Sequence, residues 1–348
     1  MVTPIKHSFA ISLAAAVCAV FYTVFLASCG APSPRKAADK KGLAFGVSVK
    51  AGDVLTPDTV KHIKSHYNLI VPEDSMKWVN IHPKKDFWNW SDMDMMVDFA
   101  EKNNIKIKGH TFLWQDQNGP YVHSAKTRDE AISFLTEQIT GVMTRYKGRV
   151  FEYDVANEVF NEDGSMRDTL WYRLIGPDFL DIAFRTAREA DPDAKLLLVD
   201  FNTEFAGSAK ADAMYELVKG MKERGVPIDG VGHQLHCPAE MNFDEEALRE
   251  NVRRFHALGL YTSFTEVDVR IKMPVDGDDE ERQKLIFSSL MDVAITEPGA
   301  GSMVLWGITD KTSWIPRAFP GYGSAHLFDK EMKPKPAYHA LMEVLLGK

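Results

Sequence analysis

The 348-residue chain is 45% hydrophobic and 26% charged, the balance of an ordinary globular protein with ample material for a core. Its 41 basic and 49 acidic residues give a net charge of −8, spread without long single-sign blocks, which argues against a nucleic-acid partner.

The first predicted element is an export signal. Lys6 and His7 precede the mostly apolar run "FAISLAAAVCAVFYTVFLAS", which stops at Cys29. The four residues "LASC", Leu26 to Cys29, resemble the bacterial lipobox. That resemblance implies a lipoprotein signal peptide over residues 1–28, acylation of Cys29 and membrane attachment through the lipid. The protein would then be an exported cell-envelope lipoprotein, on either the periplasmic or the surface side. A plain signal peptide or a spanning helix is the alternative, although the run is only marginally long enough to span. Residues 29–41 read as a short Pro- and Lys-containing tether. Cys18 would be cleaved away and Cys29 acylated, leaving Cys237 alone and no disulfide framework.

From Gly42 to the C-terminus, eight short apolar or β-branched runs alternate with amphipathic stretches. The runs are "LAFGVSV" (from Leu43), "YNLIVPE" (Tyr67), "IKIKGHTFLW" (Ile105), "VFEYDVANE" (Val150), "KLLLVDFN" (Lys195), "GVGHQLH" (Gly230), "YTSFTEVDV" (Tyr261) and "GSMVLWGITD" (Gly301). The intervening "SDMDMMVDFAEKN", "RDEAISFLTEQITGVMTRY" and "FDEEALRENVRRFHALG" carry apolar positions at helical spacing, with Ser91 and Asp244 as candidate caps. Eight alternations over residues 42–348 predict an α/β fold, a closed (β/α)8 TIM barrel in one domain. A doubly wound open sheet is the competing topology, but no run is followed by a Gly-rich phosphate loop.

In such a barrel the C-terminal strand ends converge on one face. That places Glu73 at the second mouth, His110 and Trp114 at the third, and Asn157 with Glu158 at the fourth. Gln234 and His236 follow at the sixth, Glu266 and Asp268 at the seventh, and Trp306 and Asp310 at the eighth. Singly, each is the kind of residue that caps a helix or completes a core. Together they offer two separated Glu, the three indoles Trp114, Trp306 and Trp314, and amide and imidazole donors. Glycosidic bond cleavage needs that set: one carboxylic acid to protonate the leaving oxygen and one carboxylate at the anomeric carbon, with Trp faces stacking on sugar rings. No cofactor or metal is called for. The sequence has no HExxH, and the alternation of "HQLH" sends His233 and His236 to opposite faces.

Ordered blocks across this region resemble glycoside hydrolase family 10 endo-β-1,4-xylanases. "EDSMKW" is similar to that family's ENxMKW, "GHTFLWQDQ" to GHTLVWHSQ, "YDVANE" to WDVVNE, "VGHQLH" to GxQxH, "TEVD" to TELD and "WGITDKTSW" to WGxxDxxSW. The closing "LFDKEMKPKPAYHAL" also resembles the family's final segment. The resemblance implies a retaining endo-xylanase acting on xylan and xylooligosaccharides, with Glu158 as acid/base and Glu266 as nucleophile, roughly 5 to 5.5 Å apart; a monomer is expected, although no residue pattern speaks to the oligomeric state. It further implies that Asn157 holds the 2-hydroxyl of the reacting sugar, that His236, held by Asp268, orients Glu266, and that Gln234 bonds near Glu158. Glu73, Asp74, Lys77, His110, Trp114 and Gln117 would line the non-reducing side, with Trp306 and Trp314 covering the sugars.

Three positions depart from the pattern. Asp74 stands where Asn is usual, Gln115 where His is usual, and Ile315 where Arg or Lys often follows the last Trp. "QDQNGPYV" also replaces an SQxPxW pattern. Two other readings compete with xylan hydrolysis: a non-hydrolytic glycan-binding lipoprotein, and a barrel glycosidase acting on another β-glycan.

Overall fold

The computed structural model describes residues 33–347. The expected signal peptide 1–28, Cys29 and the first part of the expected tether lie outside these residues.

Eight parallel strands close into a barrel. They are β1 (Ala44–Val49), β2 (Leu69–Pro72), β3 (Lys106–Leu113), β4 (Glu152–Asn157), β5 (Lys195–Asp200), β6 (Gly230–His233), β8 (Tyr261–Lys272) and β9 (Ala300–Leu305). Neighbours pair in chain order, β6 pairs with β8, and β9 completes the ring with both β8 and β1, as in Val47↔Leu305. These segments read as continuous apolar runs because a parallel strand in a barrel is covered on both faces, by the lumen and by the helices. The predicted runs therefore coincide with the barrel strands to within a few residues.

Two short strands extend the rim. β7 (His236–Pro238) runs parallel to the far end of β8, with His236 opposite Asp268, and β10 (Tyr322–Gly323) runs antiparallel to it. Strand β8 is thus longer than its neighbours and carries Glu266, Asp268 and Arg270 at period two on one face, from the barrel mouth outward.

The lumen contains a buried charged layer. Lys108 Nζ lies 3.1 Å from Glu152 Oε1 and 2.7 Å from Asp154 Oδ1, all three almost without solvent exposure. Tyr261 Oη and Ser302 Oγ, from β8 and β9, donate to Glu152 across the barrel at 3.2 and 3.3 Å. Burial alone would favour neutral Lys108, but Asp154 and Glu152 outweigh it and hold its pKa above the ordinary value. Next to this layer Gly109 has no room for a side chain: a Cβ there would meet Tyr153 Cδ1 at 2.3 Å.

Two expectations are corrected. Residues 34–41 of the expected tether form a helix, Pro34–Lys41, with Ala37 and Ala38 buried and Pro in the first turn, where its missing N–H costs nothing. Arg35 fastens this helix to the barrel, its Nη2 donating to the carbonyls of Asn103 at 3.0 Å and Asn104 at 2.6 Å. The catalytic body therefore starts at Pro34, not Gly42. Ser91 does not cap Ser91–Lys102: the N-cap is Trp90, and Ser91 Oγ donates to Asn89 instead. Asp244 does cap Glu245–Ala257, accepting from Ala247 N–H at 3.0 Å.

Candidate active site

The site residues singled out from the sequence, apart from Asp268, Asp310 and Cys29, line one cleft of about 450 Å3 at the C-terminal ends of the strands. Asp268 sits behind that wall, where it holds His236 and Trp314, and Cys29 lies outside the described residues. Asp310, expected at the eighth mouth, is not part of the lining: it accepts from Lys335 Nζ and from His326 N–H and fastens the C-terminal segment.

Glu158 follows the last residue of β4 with φ +57°, a left-handed backbone that non-glycine residues seldom adopt. A bond from its N–H to Val199 O on β5, at 2.9 Å, holds the turn. Both carboxylate oxygens meet neutral donors. Gln234 Nε2 donates to Oε1 at 3.1 Å and Trp114 Nε1 to Oε2 at 2.9 Å. The Gln234 amide is shared, since Nε2 also lies 3.1 Å from Asn157 Oδ1.

Glu266 is 4% exposed and has different company. His236 Nε2 lies 3.3 Å from its Oε2, while the other ring nitrogen, Nδ1, meets Asp268 Oδ2 at 2.9 Å. Burial alone would favour a neutral imidazole. The carboxylates of Asp268 and Glu266 outweigh it and push the His236 pKa up to about 10, so the ring is a cation at neutral pH and donates to both acids. Trp314 Nε1 donates to the same Asp268 oxygen at 2.8 Å, and its ring packs against His236 with centroids 4.8 Å apart. The second oxygen of Glu266, Oε1, lies 4.0 Å from His110 Nδ1 and has no hydrogen-bond partner among the described residues. His110 spends Nδ1 on Asp154 at 3.0 Å, which couples the cleft floor to the charged layer below.

Along one arm of the cleft, Glu73 pairs with Lys50 at 3.3 Å, and Lys77 reaches Asp74 at 3.4 Å and the Trp114 ring at 5.3 Å. Burial raises the Glu73 carboxyl above its ordinary range even beside Lys50. Among the described residues, no group of three or more His, Cys, Asp or Glu side chains is placed to hold a metal ion.

The profile of Glycosyl hydrolase family 10 matches residues 33–344. The chain belongs to glycosyl hydrolase family 10. It is 33% identical over 318 residues to "Endo-1,4-beta-xylanase B" of Thermotoga neapolitana, covering 89% of this chain and 91% of the relative. It is 32% identical over 326 residues to "Endo-1,4-beta-xylanase 1" of Gibberella zeae, covering 91% of each. The crystal structure of xylanase 10B from Thermotoga petrophila in complex with xylobiose superposes with a TM-score of 0.87 at 36% identity, over 91% of this chain and 98% of that one.

Against the family 10 pattern, the structure accounts for one departure. Ile315 is fully buried at the start of the short helix Ile315–Ala318, and Arg317, two residues on, lines the cleft. Asp74 is partnered by Lys77, as above. Gln115 is not among the cleft-lining residues, and its carbonyl accepts from Asn118. Several residues not singled out from the sequence also line the cleft. Phe201 and Asn202 stand directly after β5, and the strand-end rule that found Glu158 applies to them equally. Arg270 continues the period-two series of Glu266 and Asp268. Arg317 and Phe319, on and after the short helix, carry no local signal.

Proposed function

We propose that this family 10 enzyme hydrolyses internal β-1,4-xylosidic bonds of xylan by double displacement, with Glu158 as general acid/base and Glu266 as nucleophile. The observation that carries the assignment is the contrast between the two carboxylates. Glu158 is held at both oxygens by neutral donors and can exchange a proton; Glu266 is held at one oxygen by an imidazolium and keeps the other free.

In the first step the free Oε1 of Glu266 attacks the anomeric carbon as Glu158 gives its proton to the leaving glycosidic oxygen, and a glycosyl ester forms. In the second, Glu158 takes a proton from water, the water oxygen attacks the same carbon, and the Glu266 ester bond breaks. Two inversions give net retention. Since Asn157 Oδ1 is taken up by Gln234, its amide N–H groups remain for the sugar 2-hydroxyl. The names of the relatives and the xylobiose complex support xylan as the substrate class.

A 2-fluoro xylobioside with a good leaving group should complete the first step, stall the second and leave Glu266 labelled. Peptide mapping that places the label on a different carboxylate would refute the assignment.

For location, "LASC" and the residues after it support an exported, lipid-anchored enzyme acylated at Cys29. Cys29→Ser should move the protein from the membrane to the soluble fraction, whereas native protein that is soluble and unacylated by mass spectrometry would rule the anchor out.

A further inference from the structure

Arginines on the surface of this protein generally meet carboxylates, as Arg145, Arg224, Arg249 and Arg254 do. Arg270, half-buried at the rim, has no carboxylate partner among the described residues, and it lines two cavities at once. One is the cleft; the other, of about 360 Å3, opens beside it against Phe205, Pro238 and Met241. The guanidinium is fixed in place. Its Nη1 donates to the His236 carbonyl at 3.0 Å, its carbon lies 4.0 Å from the Phe319 ring centroid, and its buried Nε has no hydrogen-bond partner among the described residues.

The acids nearby are engaged elsewhere. Glu162 accepts from Asn202 and Lys210, Glu204 from the Leu235 N–H, Glu240 from Tyr322, and Asp268 from His236 and Trp314. The other cations of the second cavity are engaged too, Lys210 with Glu162 and Asp200 and His236 with Asp268 and Glu266. Arg270 is therefore the cation of the second cavity left for a ligand, and a planar fork of donors matches a carboxylate better than any neutral hydroxyl.

We propose that Arg270 recognises a carboxylate carried by the polysaccharide itself: a uronic acid substituent seated in the second cavity while the main chain lies in the cleft. This rests on the xylan reading above and names the form of xylan the site favours. The cavity has room for a single pyranose unit, and Phe205, Pro238 and Met241 suit the apolar face of the ring. With a net charge of −8 the protein as a whole repels an acidic polymer, so a fixed local cation is what would reverse that preference at the cleft.

The test compares two ligands, a uronate-substituted xylooligosaccharide and the same compound with its carboxyl reduced to an alcohol. Affinities for both are measured by titration calorimetry in Glu266→Gln and in Glu266→Gln/Arg270→Gln, so that nothing is hydrolysed. The acid form should bind Glu266→Gln about fivefold tighter at low salt, the scale of a partly exposed ion pair. The preference should shrink at high salt and fall to about one when Arg270 is also replaced. A ratio within twofold of one in Glu266→Gln, or a preference that survives Arg270→Gln, overturns the proposal. Hydrolysis of a linear xylooligosaccharide by the native enzyme is followed alongside: its absence would sink the xylan reading, whereas a missing acid preference sinks the Arg270 site alone.

Discussion

Asp268→Asn should deprotonate His236 within the working pH range and carry activity away with it. In the native protein Asp268 lies closer to the ring than Glu266 does, 2.9 against 3.3 Å, and is the stronger of the two influences that lift the His236 pKa to about 10. Set against the ordinary 6.5, that gap amounts to about 5 kcal/mol at 1.36 kcal/mol per pH unit. Because the folded pKa lies above the unfolded one, the imidazolium contributes fully below pH 6.5 and its contribution disappears as pH rises through about 10. Asparagine keeps the shape and an acceptor for Trp314 while removing the charge. One lost carboxylate should lower the His236 pKa by about two pH units, to about 8. The assay is kcat/KM across about pH 5 to 10 on an aryl xylobioside with an activated leaving group, which needs no proton from Glu158, so that loss of the acid's proton does not set the alkaline limb; circular dichroism at each pH separates unfolding from inactivation. If the alkaline limb of Asp268→Asn stays within about half a pH unit of the native limb, or if the native limb itself lies near pH 7, a cationic His236 is not what supports Glu266.

Glu158→Ala should hurt xylan far more than an aryl xylobioside with an activated leaving group, and azide should restore turnover with a β-azide product; equal losses on both substrates without azide rescue would remove Glu158 from the acid/base role. Lys108→Met leaves Glu152 and Asp154 buried without their cation and should cost about 3 to 5 kcal/mol by urea denaturation, so a loss below about 1 kcal/mol would mean that the lumen tolerates the naked acids. His62 and His233 are buried neutral, their pKa values lowered to about 3 chiefly by burial, and His233 accepts from Asn251 while bonding Thr203. Their folded values lie below the unfolded ones, so their contribution should be complete above pH 6.5 and fall by about 1.4 kcal/mol per pH unit for each as the pH drops below it, and His233→Asn should remove about that much from the slope.

The barrel was legible because its strands are covered on both faces and stand out as apolar runs, and the paired Glu were legible because each ends such a run. What escaped depends on distances that run across the chain. Lys106 and Lys108 share one face of β3, yet Lys106 is exposed and Lys108 is fully buried. Depth along the barrel axis decides between them, and depth is set by strands far away in sequence. The helix Pro34–Lys41 escaped because eight residues do not hold a helix on their own. It exists because Arg35 finds carbonyls after a different helix. Ser91 looked like a cap, but stacking of Trp88 on Trp90 at 4.6 Å accompanies an entry in which Trp90 already has helical dihedrals.

The left-handed backbone at Glu158 makes the step from enzyme to lectin a short one. Glycine adopts φ +57° without the clash that costs an L-residue about 1 to 2 kcal/mol, a gain that outweighs or cancels its greater freedom in the unfolded chain. A single Glu158→Gly change would therefore abolish proton transfer while relieving the backbone, with Trp114 Nε1 and Gln234 Nε2 left to bond cleft water in place of the carboxylate. The indoles and amides that grip the sugar would all still be in place. Selection for stability alone would not resist that drift, so only the benefit of cutting the polymer keeps this position acidic, and a lineage that ceased to need the cut would retain a folded barrel that captures glycan chains.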